Sequence, residues 1–345
     1  MKTPLLPITY EHLNAETPLD VLLAPVTPVE SFYKRNHFPI PQLTADEWRL
    51  QIHGVGVQPQ TLTLADIQAL PAKTIDLVLE CAGNGRKSMQ PPPAGVAWNL
   101  GAVSRGRFRG APLAALLDRL ELAPGVAEVQ FTGADHGAVR SGAETAYARS
   151  LTLAQARHPD VLLAWEMNGA PLTPEHGFPL RLIVPDWYGM AAVKWLTEIT
   201  FLAHTFAGFF QVDDYVFVGE PGLPNGAPAT TMWVRALLLS PLDGVVCEYG
   251  PIEMRGVAWV GEGEVSRVDL SFDGGATWQA TALDNPSGAY TAQPWRFTWN
   301  PARPGEVEIL VRATDSAGNS QPLQPRGNKG GYGNNSVQRV KFTIR

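Results

Sequence analysis

A chain of 345 residues with 45% hydrophobic content is long enough for two domains with cores of their own, so disulfide or metal staples are not needed for stability. No run approaches the roughly 20 apolar residues that a bilayer crossing needs, and a net charge of -6 excludes the basic footprint of general nucleic-acid binding. The first residues, MKTPLLPITYEHLNAETPLD, carry no basic-then-apolar leader and no twin arginine, so the chain reads as cytoplasmic; one trimmed of a periplasmic leader would read the same.

Thirty prolines and 33 glycines are scattered through the chain and cut it into short elements, which predicts an α+β or β-rich fold. In chain order, strands are expected at 48–53, 74–81, 127–132, 161–167, 180–184 and 193–201. Short helices fall at 63–67, where Thr63 can cap and Pro71 stops the run, and at 113–120, where Pro112 suits a first turn. The tract GEPGLPNGAPAT, 219–230, has almost nothing to bury and marks a boundary between a first domain, 1–225, and a second, 226–345. Beyond it, VSRVDLSFDGG, YTAQPWRFTWN and EVEILVRATDSAGN alternate with period two, as in an immunoglobulin-like β-sandwich, and Asp273-Gly274-Gly275 makes a hairpin turn.

The two cysteines, Cys81 and Cys247, lie in no CxxC pair, so zinc-type spacing is absent, while a disulfide between them stays open. Cys81 ends an apolar run in LECAGNGR, 79–86. On its own such a thiol is a small buried hydrophobe. Gly83 and Gly85 allow a ligand to approach closely and Arg86 favours a thiolate, a setting that suits metal ligation or anion chemistry. A second cluster, FYKRNHFP over 32–39, sets Lys34, Arg35 and His37 among aromatic rings. A third, EHGFPLR followed by AVKWL, supplies His176, Arg181 and Lys194, donors suited to a phosphate. Each of these alone would read as a solvated polar turn. No GxGxxG or Walker-type loop accompanies them, so a nucleotide-fold phosphate site is not indicated.

Taken in order, FYKRNHFPIP, LECAGNGR, VAWNLGAVS, VLLAWEMNG, EHGFPLR and AVKWL resemble the sulfite oxidase family of molybdenum enzymes, which includes sulfite dehydrogenases and assimilatory nitrate reductases. DGGATW and ATDSAGNSQP resemble that family's second domain. The resemblance implies a molybdenum-molybdopterin cofactor whose dithiolene holds the metal together with one protein cysteine, which Cys81 matches. It implies that Tyr33, Lys34, Arg35, Asn36 and His37 line the cofactor, with Asn36 and His37 on the pterin side and Arg35 toward the substrate, and that Asp135 is a pterin contact. His176, Arg181 and the Ala192, Val193, Lys194 segment match the pocket for the terminal phosphate. Arg35 and Arg86 match arginines that receive a small oxyanion, and Trp98 a tryptophan bordering their pocket.

Before the EMNG element the family is expected to carry a tyrosine whose phenol enters the substrate site; here the residue is Trp165, so an indole is expected there. Arg326 and Lys329 both lie in the segment of the third substrate arginine, and the resemblance does not choose between them. The implied reaction is oxygen-atom transfer to sulfite by a homodimer. No haem, flavin or dinucleotide module is read before Tyr10 or after Arg345, so electrons are expected to pass to or from a separate partner, a c-type cytochrome being the usual one. Two other readings stand beside this one. The same cofactor could reduce an S-oxide, N-oxide or nitrate, or the chain could be a non-catalytic cofactor-binding or interaction module with the sandwich as its working part.

Overall fold

Residues 5–9 and 12–345 are described by the structure, a computed structural model. The first four residues of the N-terminal stretch, together with Tyr10 and Glu11, lie outside them. Before the proline-glycine tract the expected strands form at Leu50–Gly54, Lys73–Glu80, Glu128–Ala138, Leu162–Met167, Arg181–Ile183 and Leu196–Leu202. The last starts three residues later than the apolar pattern implies, because Trp195 is left-handed, at φ 49°, and interrupts the extended run. Helices are few and short. Leu64–Gln68 opens in a capping box formed by Thr63 and Asp66, while Leu113–Leu117 ends three residues before the expected stop.

Two long strands, Val103–Pro112 and Glu144–Thr152, fall outside the sequence expectation. The first contains VSRGRFRG, whose glycines resemble turn residues. They are instead close-approach positions: a Cβ on Gly110 would sit 2.2 Å from the Leu163 carbonyl oxygen, and one on Gly106 would sit 2.6 Å from the Phe108 ring. Val103–Pro112 therefore lies between Lys73–Glu80 and Leu162–Met167 in one antiparallel sheet, with Arg181–Ile183 on the far side of Leu162–Met167. A second sheet runs Gln60–Leu62, Leu50–Gly54, Leu196–Leu202, Glu128–Ala138, Glu144–Thr152, and its pairing of Leu196–Leu202 with Leu50–Gly54 is parallel.

The strand Leu162–Met167 divides two cores by its pleat. Leu163 and Trp165 enter the central core, whereas Leu162 and Ala164 enter the core that contains Cys81, Tyr33 and Trp98.

The tract read as a linker carries a small ribbon, Val216–Phe217 paired with Ala227–Pro228. After it come two facing sheets. One orders Arg235–Ser240, Ile252–Trp259, Gln293–Trp299 and Ala282–Leu283; the other orders Val246–Cys247, Gln338–Ile344, Gly305–Asp315, Val265–Ser271 and Gln279–Ala280. Leu238, Met254 and Trp295 from the first meet Val268, Val311 and Val340 from the second in one buried core, the arrangement that period-two alternation demands of a sandwich. The hairpin turn forms as expected: Asp273 accepts bonds from Ser271 and Thr277, which hold its carboxyl at about 2. Both cysteines are free thiols, which answers the disulfide question left open by spacing.

Candidate active site

Cys81 sits one residue beyond the end of Lys73–Glu80. Its N–H still donates to the Ala102 carbonyl at 2.8 Å, and its own carbonyl accepts from Asn84 N–H at 2.9 Å as the chain turns away. The turn closes through Gly85, left-handed at φ 81°. The thiol thus stands where two spaces meet, an inner cavity of about 670 Å³ and an outer cleft of about 1520 Å³. Arg35, His37, Cys81 and Tyr215 line both.

Basic side chains outnumber acidic ones on the wall of the inner cavity, where Lys34 pairs with Glu175 at 3.6 Å. Lys34, Arg35, His176, Arg181 and Lys194 all line it. His176 Nε2 and Arg181 Nε are buried without a hydrogen-bond partner among the described residues, as is Asp135 Oδ1 on the same wall. Burial, then the charges of Lys194 and Arg181, pull the His176 imidazole down to about 3. Burial pulls Arg181 down to about 10 and, joined by the Arg181 charge, holds Lys194 well below its ordinary value. Burial lifts the Asp135 carboxyl to about 6 despite Lys194 beside it. Elements on both sides hold this set in place. Lys194 Nζ donates to Asn36 Oδ1 and, at 3.0 Å, to the Glu175 carbonyl, while Arg181 spends its two terminal nitrogens on the His176 and Ala192 carbonyls. A phosphate entering here would supply the acceptors that the orphaned donors lack and remove the mutual repulsion. The cavity therefore fits a phosphorylated group.

The outer cleft receives Arg86, Trp98, Lys329 and Tyr332 beside the shared four. Arg86 is pinned: Nε and Nη2 donate to the Gly330 carbonyl at 3.1 and 2.9 Å, Nη1 to the Val96 carbonyl at 2.9 Å, and its guanidinium lies 5.3 Å from the Tyr332 ring centre. Trp98 is fully buried and its Nε1 has no hydrogen-bond partner among the described residues. Burial raises the Cys81 thiol, and the Arg35 and Arg86 charges pull it back. Among the described residues no group of three or more His, Cys, Asp or Glu side chains could hold a metal ion, so a metal at Cys81 would need donors brought by a cofactor.

Most residues named from the sequence come together here, but three do not. Trp165 is corrected: its side chain lines neither space, packing instead in the central core under the Arg109 guanidinium, 5.7 Å from the ring centre. The cause is the pleat of its strand, which turns Ala164 toward the Cys81 side and Trp165 away. Val193 is likewise in that core, and only its neighbours Ala192 and Lys194 face the cavity. Of the two candidate third cations, Lys329 reaches the outer cleft, whereas Arg326 lies over the Trp233 ring at 5.4 Å, away from Cys81.

A phenol reaches the site from a position that the motifs do not single out. Tyr215 reaches the junction of the two spaces, its hydroxyl 2.9 Å from His37 Nε2, and burial keeps it protonated. Tyr147 stacks on the same imidazole, ring centres 5.1 Å apart. Neither stands in a motif with a legible spacing. The available signal for Tyr215 was its place in DDYVFVGE, just before the proline-glycine tract.

Two family models match: an oxidoreductase molybdopterin binding domain over 37–210 and a Mo-co oxidoreductase dimerisation domain over 229–345. The mitochondrial sulfite oxidase of Rattus norvegicus is 34% identical over all of this chain, which spans 66% of that protein. The sulfite oxidase of Arabidopsis thaliana is 34% identical, with 90% of this chain and 86% of the relative covered. The crystal structure of the sulfane dehydrogenase SoxCD from Paracoccus pantotrophus superposes with a TM-score of 0.82 at 26% identity, covering 96% of this chain and 84% of that one. The fold and site are those of a molybdopterin-dependent oxidoreductase. Within that class, the chain belongs to the sulfite oxidase family.

Proposed function

We propose that the protein oxidises sulfite to sulfate, with Cys81 as the protein ligand to the molybdenum of a molybdopterin cofactor. Bound there, the cofactor supplies oxygen-atom transfer and accepts two electrons per turnover. The observation that carries the reading is the position of Cys81 in the walls of both spaces, one lined mainly with basic side chains and one open to an anion. His176, Arg181 and Lys194 hold the cofactor's phosphate, and Tyr33, Lys34, Asn36, Asp135 and Ala192 border the rest of it. Arg35, Arg86 and Lys329 give the outer cleft a positive field that draws sulfite toward Cys81. Trp98 Nε1 and the Tyr215 hydroxyl are donors facing the substrate, and His37, kept neutral by burial and by the Arg35 charge, orients Tyr215.

In this reading the first domain, 1–225, carries the cofactor, and the immunoglobulin-like second, 226–345, pairs two copies into a homodimer. Electrons leave to a separate acceptor, for which a c-type cytochrome is the first candidate. The test is the molybdenum and pterin content of the purified full chain, followed by initial rates. Sulfite with an artificial acceptor is set against reduced dye with nitrate or an S-oxide. Stoichiometric cofactor with faster sulfite oxidation is expected. Cofactor with turnover only in the reducing direction would replace this reading with the reductase one, and absence of the cofactor after supply in excess would end both.

A further inference from the structure

Glu80 immediately precedes Cys81 and is 1% exposed. The strand's alternation sends the two side chains to opposite faces, so while Cys81 enters the cavities Glu80 points toward the second domain. A carboxylate so buried is tolerable only with a cation and donors around it. They come mainly from the second domain: Arg235 Nε lies 3.0 Å from Oε1, and Trp259 Nε1 donates to Oε2 at 2.8 Å. The first domain adds Asn84 Nδ2 on Oε1 at 3.0 Å. Arg235 is itself 3% exposed and also donates to the Asn84 carbonyl at 3.3 Å. Further along the same loop, Asn334 Nδ2 donates to the Gly85 carbonyl at 2.7 Å and Gly333 N–H to the Ala82 carbonyl at 2.8 Å. The Glu80 side chain before Cys81 and the Ala82, Asn84 and Gly85 carbonyls after it are thus tied to the second domain.

We propose that Arg235 and Trp259 are positioning residues: by holding Glu80 they fix the backbone of Cys81, so the geometry of the thiolate donor depends on how the second domain is seated. This rests on the reading of Cys81 as the metal ligand, and it gives the second domain a part in the site beyond pairing protomers. A ligand whose supporting shell loosens loses its set distance and angle even though no cofactor contact is removed.

The test uses the full chain carrying Cys247→Ser, so that Cys81 is the one thiol. Trp259→Phe removes the donor and keeps the ring; Arg235→Gln removes the cation; Glu80→Gln with Arg235→Gln restores a neutral hydrogen-bonding pair. Two readouts are taken: the iodoacetamide alkylation rate of Cys81 in cofactor-free protein, and the Mo(V) electron paramagnetic resonance signal of loaded enzyme. Trp259→Phe and Arg235→Gln are expected to raise the alkylation rate and lower kcat, each by about tenfold, with the Mo(V) signal shifted and KM changed less than about twofold. The double variant is expected to return both readouts toward the parent. An unchanged Mo(V) signal in either single variant overturns the proposal, whether or not alkylation moves. Should Arg235→Gln fail to fold, Trp259→Phe decides; should either fail to load cofactor, a parental alkylation rate overturns the proposal and a raised one supports it. Cys81→Ser, loaded and measured alongside, separates the two claims: a parental Mo(V) signal in it removes the ligand reading itself.

Discussion

Tyr215 holds a left-handed backbone conformation, φ 55°, which costs a bulky residue about 1–2 kcal/mol and persists where the surroundings fix it. What fixes it without the hydroxyl is the bond from Ala229 N–H to the Tyr215 carbonyl at 2.8 Å and the ring's contact with Tyr332, centres 5.1 Å apart. Tyr215→Phe is therefore expected to fold and load cofactor while lowering kcat for sulfite by about 100-fold, the lower range for loss of a positioned acid or base. Steady-state kinetics with molybdenum analysis checks it, and an unchanged kcat would remove the phenol from the chemistry. His176 makes a prediction of the opposite kind, about stability. Its native value of about 3 lies below the ordinary 6.5, so between those pH values the unfolded chain takes up a proton that the folded chain refuses. Cofactor-free protein should accordingly lose stability as pH falls through that window. His176→Gln should lose less, which thermal melts at a series of pH values would reveal.

At the scale of the element, the Cys81 loop is shaped by glycines that leave room for Arg86. A Cβ on Gly95, left-handed at φ 107°, would come 2.8 Å from Arg86 Nη1, and one on Gly83 would come 2.7 Å from Nη2. Gly95→Ala should displace the guanidinium without touching the inner cavity. It is expected to resemble Arg86→Gln: cofactor content unchanged and KM for sulfite raised about tenfold, the cost of one charge-assisted contact. A Gly95→Ala enzyme with parental KM would mean that Arg86 serves the fold alone. The facing element behaves differently. Arg181→Gln with Lys194→Gln removes two of the cavity's cations, and the variant is expected to purify with little pterin, as its fluorescence would show. Full pterin content would move the phosphate site elsewhere.

Over the whole molecule, the net charge of -6 leaves local positive clefts on an acidic surface. If electrons leave to a basic cytochrome, its encounter is steered by that charge and weakens with salt, whereas a small anionic acceptor gains nothing from it. Sulfite oxidation with cytochrome c should fall severalfold between low and physiological ionic strength while the rate with ferricyanide stays level or rises. Equal salt dependence for the two acceptors would argue against an electrostatic partner.

What the sequence determined by itself was local and chemical. The period-two segments foretold strands in both sheets of the sandwich, Thr63 foretold a helix start, and LECAGNGR, EHGFPLR and AVKWL held the thiol and three basic side chains of the inner cavity. Motif residues remain together because each cluster is a short stretch of chain. Only the tertiary structure decided which way each side chain looks and what distant segments meet. Trp165 faces the central core because a strand's pleat alternates and the sequence does not say which parity faces the thiol. Tyr215 and Lys329 enter the site from segments 134 and 248 residues beyond Cys81, a matter of how the chain doubles back and not of spacing. Glu80, unremarkable in the sequence, gains its cation from Arg235 because two domains close on one buried carboxylate, and that closure is a property of the folded molecule alone.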